Sequence, residues 1–311
     1  MRLFVGCGLV LASGIASAQF LLVPDSGNDR ILKLDAQTGA VIDANFIVNA
    51  AFSTPVAAKQ VGAEIWITDQ INDSIYRYSD SGSLLSTITG QLDNVRGLNV
   101  VNGQVWVTNA GTANGGAIGI YRYDFSGNLL GNFALGASSG SNSPWDIKQF
   151  GSDVYISDST SDDIDRYDVS GTYLGKFYNS PGSADLNFPQ QIGTFNNQVM
   201  VAGFSIPTGL YRFDSSGAKV GTYDVSGSLG LRGVYQLGNG NILATGGTRL
   251  VLINTSGPVW TDSNLINQLT PAASFRFIHE FTPVPEPGTL AVLGLGCAAM
   301  LRRKQKVKKS L

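Results

Sequence analysis

Cysteine is nearly absent from this 311-residue chain, and the positions of its two cysteines matter more than their number. Cys7 sits in an apolar run at the N-terminal end and Cys297 in one at the C-terminal end, so the long middle has none. That excludes disulfides, thiolate metal sites and a cysteine nucleophile between them. Histidine occurs once, at His279, which excludes paired-histidine chemistry and His-rich metal sites. Glutamate is confined to Glu64, Glu280 and Glu286. Between the two ends no stretch shows the apolar 3.6-residue periodicity of a helix. The middle must therefore be stabilised by an apolar core, and its length is sufficient to bury one.

A surplus of positive charge is also missing. Setting aside seven basic residues at the ends (Arg2, Arg302, Arg303, Lys304, Lys306, Lys308, Lys309) and Glu286 leaves 14 basic and 22 acidic groups over 19–284, a charge near −8. Nucleic-acid binding wants a basic footprint, so that class is excluded.

What the middle does have is repetition. The unit Asp153-Val-Tyr-Ile-Ser-Asp158, then Ile164-Asp-Arg-Tyr-Asp168, Ser170-Gly171 and Tyr173-Leu-Gly-Lys-Phe177 recurs in recognisable form six times between 20 and 282. The turn glycines Gly39, Gly82, Gly127, Gly171, Gly217 and Gly257 are spaced by 43, 45, 44, 46 and 40 residues, a period typical of β-propeller blades. The segments are short, rich in Ile, Val, Tyr, Phe and Trp, and bounded by Gly, Asp, Asn and Ser, which reads as strands joined by hairpins.

A further strand precedes each unit at 55–61, 96–101, 144–150, 189–195 and 232–237. The first unit lacks one. Its counterpart is Phe275–Phe281 at the far end, so the spacing predicts a ring closed by a C-terminal strand, with no free edge left inside.

The pattern of a hydrophobic-aromatic-hydrophobic-Thr/Ser-Asp strand followed by Ile-x-Arg-Tyr/Phe-Asp-x-x-Gly resembles six-bladed NHL and YWTD-type propellers over nearly the whole span 19–282. The Gly-His and Trp-Asp signatures of WD repeats are absent. The resemblance implies an all-β fold of six four-stranded blades.

Both ends read as processing signals. Arg2, an apolar run from Leu3 to about Ile15, and Ala16-Ser17-Ala18 before Gln19 form a signal peptide over 1–18, cleaved between Ala18 and Gln19. At the other end Pro285-Glu286-Pro287 precedes an uncharged apolar run over 288–301 and a basic tail opening with Arg302 and Arg303. That run would form a helix of about 21 Å against a bilayer core of about 30 Å. Pro-Glu-Pro, apolar helix and basic tail over 283–311 together resemble the PEP-CTERM sorting signal. The resemblance implies export across the inner membrane, an exosortase-type membrane peptidase as processing partner, and delivery to the envelope or extracellular matrix.

A propeller fold says little about activity, so function is sought around the channel. Aligning the inner strands puts Val56, Arg96, Trp145, Gln190, Arg232 and Arg276 at one mouth. Arginine binds carboxylates and sulfates bidentately and tryptophan stacks on sugar faces, so Arg96, Trp145, Gln190, Arg232 and Arg276 are the candidate ligand site, with acidic polysaccharide or a surface protein as partner. The alternative is that these arginines pair with Asp146 or Glu280 and that Trp145 fills space.

A second repeated set, Lys33, Arg77, Arg122, Arg166 and Arg212, recurs too regularly for a unique site and is read as structural, paired to repeat carboxylates such as Asp69 or Asp158. Asp25, Asp69, Asn109 and Asp158 read as turn caps. Acidic residues peak at Asp158, Asp162, Asp163, Asp165 and Asp168, but without an EF-hand or RTX pattern for Ca²⁺. His279, Glu280 and Asp146 form the one plausible proton-transfer set, and no nucleophile-elbow motif accompanies any serine. The expectation is a binding or scaffold module with no cofactor, metal or catalytic residue. Its rivals are a degenerate propeller hydrolase or lyase, or a purely structural matrix protein.

Overall fold

A computed structural model describes residues 19–267 and 272–283. The signal peptide over 1–18, the Pro285–Pro287 segment, the apolar run over 288–301 and Arg302 and Arg303 lie outside the described residues. Among the described residues the regular structure is all strand, and no helix is long and apolar enough to cross a membrane.

Six four-stranded antiparallel sheets make up the molecule. Five are consecutive in sequence, with inner strands Pro55–Val61, Val95–Val101, Pro144–Phe150, Pro189–Phe195 and Gly233–Gln236. Blade 1 is composite. Its second strand, Phe20–Asp25, pairs on one side with Arg30–Asp35 and on the other with the C-terminal strand His279–Phe281. The ring thus closes as the displaced strand predicts. The closing segment is shorter as a ladder than expected: Phe275 makes an isolated bridge to Asp25, and pairing resumes only at His279. In between, the Arg276 N–H stays on the Pro24 carbonyl while its own carbonyl accepts from Thr245 of blade 6, the Phe277 N–H donates to Val56 of blade 2, and the Ile278 N–H donates to Gln191 of blade 5.

The outer hairpins follow from the Asp-x-Ser-Gly turns. Asp124 Oδ1 accepts from the backbone N–H groups of Ser126 and Asn128, and Asp168 and Asp214 repeat the arrangement. Those bonds favour the charged form and hold Asp168, its Ser170 hydroxyl bond first, down at about 2. Gly217 shows why the turn needs glycine: its φ is +88°, and a Cβ there would lie 1.9 Å from the Phe177 carbonyl oxygen.

The apolar core is divided among the gaps between blades. One cluster joins Trp106 and Ile120 of blade 3 to Ile147, Ile156 and Tyr167 of blade 4, and five comparable clusters fill the other gaps. Polar groups also join the blades near the axis. The Gly97 N–H donates to Thr108 Oγ1 at 2.9 Å, and that hydroxyl donates to the Trp145 carbonyl of the next blade at 3.3 Å. Ser157 repeats this with the Asp146 N–H at 2.9 Å and the Gln190 carbonyl at 2.7 Å. Thr68 bridges the Ala57 N–H and the Arg96 carbonyl, and Thr245 donates to the Arg276 carbonyl. Ala202 and Pro24 hold the same place in blades 5 and 1 and have no hydroxyl. There the inner strands bond directly, Gln191 N–H to Arg232 carbonyl at 3.2 Å and Phe277 N–H to Val56 carbonyl at 3.1 Å.

Thr108→Val keeps the shape and removes the relay, leaving a buried N–H and a buried carbonyl without partners. The expected loss is about 1–3 kcal/mol in urea unfolding followed by tryptophan fluorescence. A loss under about 0.3 kcal/mol would show that the hydroxyl relay contributes nothing.

Candidate functional site

The inner strands of blades 2 to 5 each break register after their first residue, for instance between Pro144 and Ile147 and between Pro189 and Ile192. An interruption of this kind turns side chains out of the sheet, here toward the axis. Val56, Arg96, Trp145 and Gln190 fall at this step, and Arg232 and Arg276 lie just outside the ladders of the inner strands of blades 6 and 1.

Arg96 is 6 % exposed and lies 4.0 Å from the Trp145 ring centroid. Its Nη1 donates to Ser143 Oγ at 2.9 Å and its Nε to Asn94 Oδ1 at 3.2 Å. Burial pulls its guanidinium down to about 10. Arg232 and Arg276 are half-buried. Arg232 lies over Phe204 at 4.3 Å, and its Nε has no partner. Arg276 donates from Nε to Ser26 Oγ at 2.8 Å. Burial first, and then the charge of Arg232, lower Arg276 to about 9. Gln190 is 1 % exposed with both amide atoms unpartnered.

This geometry corrects two expectations. None of the ion pairs among the described residues involves Arg96, Arg232 or Arg276, so Asp146 and Glu280 do not neutralise them. Asp146 is one residue past the mouth and Glu280 four residues past Arg276, both nearer the opposite end. Trp145 is no stacking platform either: it is 4 % exposed, covered by Arg96 and tilted against Phe188.

The repeated cations also differ from expectation in their partners. Asp69 accepts from the Ser53 and Thr54 N–H groups and Asp158 from the Ser143 and Thr160 N–H groups, so these carboxylates are already occupied by the segments leading into and out of the blades. Asn109 serves likewise, accepting from the Asp93 N–H, and Asp25 accepts from the Ser274 N–H. Arg77 turns instead to Glu64 at 2.8 Å and Arg166 to Asp153 at 2.9 Å. Lys33, Arg122 and Arg212 lie over the rings of Phe20, Phe133 and Trp260. The acidic peak is shared out in the same way. Asp162 accepts from the Phe188 N–H, Asp163 from the Ser180 N–H and Lys176, and Asp165 from the Ser141 hydroxyl.

At the other end of the channel is a cavity of about 310 Å³, lined among others by Lys59, Asp146, Lys148, Tyr235, His279 and Glu280. It brings together His279, Glu280 and Asp146, and adds two lysines that the sequence reading passed over. The signal was available, because Lys59, Lys148 and His279 occupy one column of the inner-strand alignment, three residues after the arginine column. Burial, and then Lys148, lower the Lys59 ammonium to about 8. Burial, then Lys59 and Lys148, push His279 well below its ordinary value, so it is a neutral imidazole. Glu280 accepts from the Tyr235 hydroxyl at 2.7 Å. Asp146 accepts from the Ile192 N–H through Oδ2 at 2.9 Å, while Oδ1 has no partner. Gly97 makes room for it, since a Cβ there would lie 2.3 Å from the Trp145 carbonyl oxygen and 2.9 Å from Asp146 Oδ1.

Burial pushes the Asp146 carboxyl up from 3.8 to about 6. The folded protein therefore holds this proton more tightly than the unfolded chain, and this group's contribution to stability falls as pH rises from 3.8 to about 6. Above that window the penalty is complete, on the order of 2 kcal/mol. Asp146→Asn keeps the acceptor for Ile192 and removes the charge. The variant is expected to be more stable than the parent at pH 8 by about 2 kcal/mol, with the gain vanishing below about pH 4 in urea unfolding. A gain independent of pH would contradict the assignment.

Comparison with solved structures places this fold among propellers. A protein of unknown function from Bacteroides caccae superposes with a TM-score of 0.62 at 16% identity, over 85% of this chain and 99% of that one. The nidogen/laminin complex gives a TM-score of 0.64 at 14% identity, over 84% and 98%. A catalytically inactive virginiamycin B lyase from Staphylococcus aureus, solved with quinupristin, gives 0.55 at 18% identity, over 72% and 73%. At these identities the likeness is one of fold. A comparison with curated protein sequences finds no match. Residues 283–305 match the PEP-CTERM protein-sorting motif. The chain is thus a six-bladed β-propeller carrying a PEP-CTERM sorting motif, which implies export, sorting at the membrane and processing by an exosortase-type peptidase.

Proposed function

We propose that the protein is an exported binding module. Its C-terminal motif delivers a rigid disc to the cell envelope or matrix, and the arginine mouth holds the carboxylates of an acidic extracellular polysaccharide without turning it over. The observation that carries this reading is the pair Arg232 and Arg276, both half-buried and the first close enough to lower the second's affinity for a proton, with neither in an ion pair among the described residues. Two desolvated like charges are costly unless an anion joins them. They persist in a domain with eight more acidic than basic groups, where carboxylate partners were plentiful. A carboxylate between them would accept bidentate, charge-assisted bonds.

Binding is favoured over catalysis because burial, then Lys59 and Lys148, lower the basicity of His279, the chain's one histidine, and so weaken it as a general base. Arg96, Trp145 and Gln190 are buried and support the mouth from within, and the contacts fall to the half-buried Arg232 and Arg276.

Calorimetric titration with acidic and neutral exopolysaccharides tests this. The acidic polymer is expected to bind and the neutral one not. Replacing Arg232 and Arg276 together by glutamine should weaken binding at least about tenfold, the scale of one lost charge-assisted pair. Equal binding of both polymers, or binding unchanged in a folded double variant, would remove the mouth from consideration and favour a surface protein as partner.

A further inference from the structure

We propose that the cavity at the opposite end of the channel is a second, independent site, built for a small hydroxylated carboxylate about the size of one sugar ring. A buried layer separates it from the arginine mouth. Phe277 is fully buried in the cluster that holds Val56, Ala57 and Trp145, and its ring lies 6.4 Å from that of His279. Asp146 and Gln191 complete the layer. Gln191 is held by the Ile278 carbonyl and by the N–H groups of Val234 and Ile278.

Each unsatisfied group of the cavity limits the ligand. Lys59 and Lys148 both line it, and neither takes part in an ion pair among the described residues. Asp146 and Glu280 line the same cavity but form no ion pair with either lysine, so an anion that comes closer to the lysines than these carboxylates do is called for. His279 is 6 % exposed and Asp146 1 % exposed, both line the cavity, and His279 Nε2 and Asp146 Oδ1 are buried without a hydrogen-bond partner. Asp146 Oδ1, when charged, needs a donor, and the neutral imidazole nitrogen accepts or donates according to its tautomer. A hydroxyl suits both. A bare carboxylate answers only the lysines and a neutral sugar only the other two. A molecule with a carboxylate at one end and hydroxyls along its length answers all four. About 310 Å³ is at the small end of small-molecule sites, room for a single ring.

The remaining titratable groups facing the cavity are Glu280 and Tyr235, which are bonded to each other. Lys59, held at about 8, gives up its charge as pH rises past that value, so affinity is expected to fall there.

The chain's single histidine supplies the probe. The full chain, held in detergent, purified without a histidine tag and carrying ¹⁵N-labelled histidine, would be titrated at pH 7 with D-glucuronate, D-glucose and acetate while the His279 imidazole is followed by NMR. Glucuronate is expected to shift the His279 signals saturably, with acetate at least tenfold weaker and glucose without effect. Lys59→Met with Lys148→Met should weaken the glucuronate response at least tenfold and raise the pH at which the free imidazole titrates. The Arg232 and Arg276 glutamine variant should respond as the parent does, so this site and the polymer site can fail separately. No response to glucuronate, or an equal response to glucose or acetate, would overturn the proposal on the unmodified chain alone, whether or not the lysine variants fold. An undiminished response in folded lysine variants would overturn it equally.

Discussion

The hydrogen bonds that link each inner strand to the next govern how the rest of this molecule can be arranged. Each blade is a small antiparallel sheet with little holding it to its neighbours except side-chain packing, which tolerates sliding. Thr68, Thr108, Ser157 and Thr245 each reach from one blade to a carbonyl of the following one. Where the hydroxyl is absent, beside Ala202 and Pro24, the backbones come together directly. Directional bonds between buried groups fix rotation and height in a way that apolar contacts do not. Bonding of this kind is incomplete in an open array, so the strand His279–Phe281 has to return beside Phe20–Asp25. With the heights fixed, equivalent residues of six unlike strands become rings. The arginine mouth, the buried middle layer and the lysine–histidine cavity are three such rings.

Much of this was legible in the sequence because it is periodic. Turn glycines every 40 to 46 residues and alternating strands carry the blade count, and the displaced strand carries the closure. The inner-strand ranges agree with the ladders to a residue or so, except in the closing segment, where the Phe277 and Ile278 N–H groups bond across blades. Partner choice was not legible. Asp69 and Asp158 looked like natural counterions for Arg77 and Arg166, but backbone N–H groups of neighbouring segments occupy them first. Which donor reaches a carboxylate depends on the relative height of blades, and no single repeat contains that information. The same holds for Trp145, whose burial under Arg96 joins residues 49 apart in sequence. Lys59 and Lys148 were legible in principle. They were overlooked because a lysine in a strand usually lies on a solvated face, and only the ring geometry turns these two inward.

The charge distribution links the fold to its function. The carboxylates that make this domain acidic are spent on structure, at hairpin turns such as Asp124, Asp168 and Asp214 and at caps such as Asp69 and Asp158. The cations nearest the axis form no ion pairs among the described residues. The result is an acidic rim around two cationic ends. At physiological salt, fields from exposed charges fade over about 8 Å, so the rim contributes little at the axis, whereas partly buried cations are screened much less. An approaching polyanion therefore meets weak repulsion at a distance and strong attraction only on reaching the mouth. Such an arrangement selects against loose, non-specific adhesion of acidic polymer to the disc as a whole, and favours contacts in which one or two carboxylates enter the channel. A basic surface would collect polymer everywhere. With partly buried cations held at the axis, the binding proposed above would depend on a chain end or a protruding acidic sugar that can enter the channel.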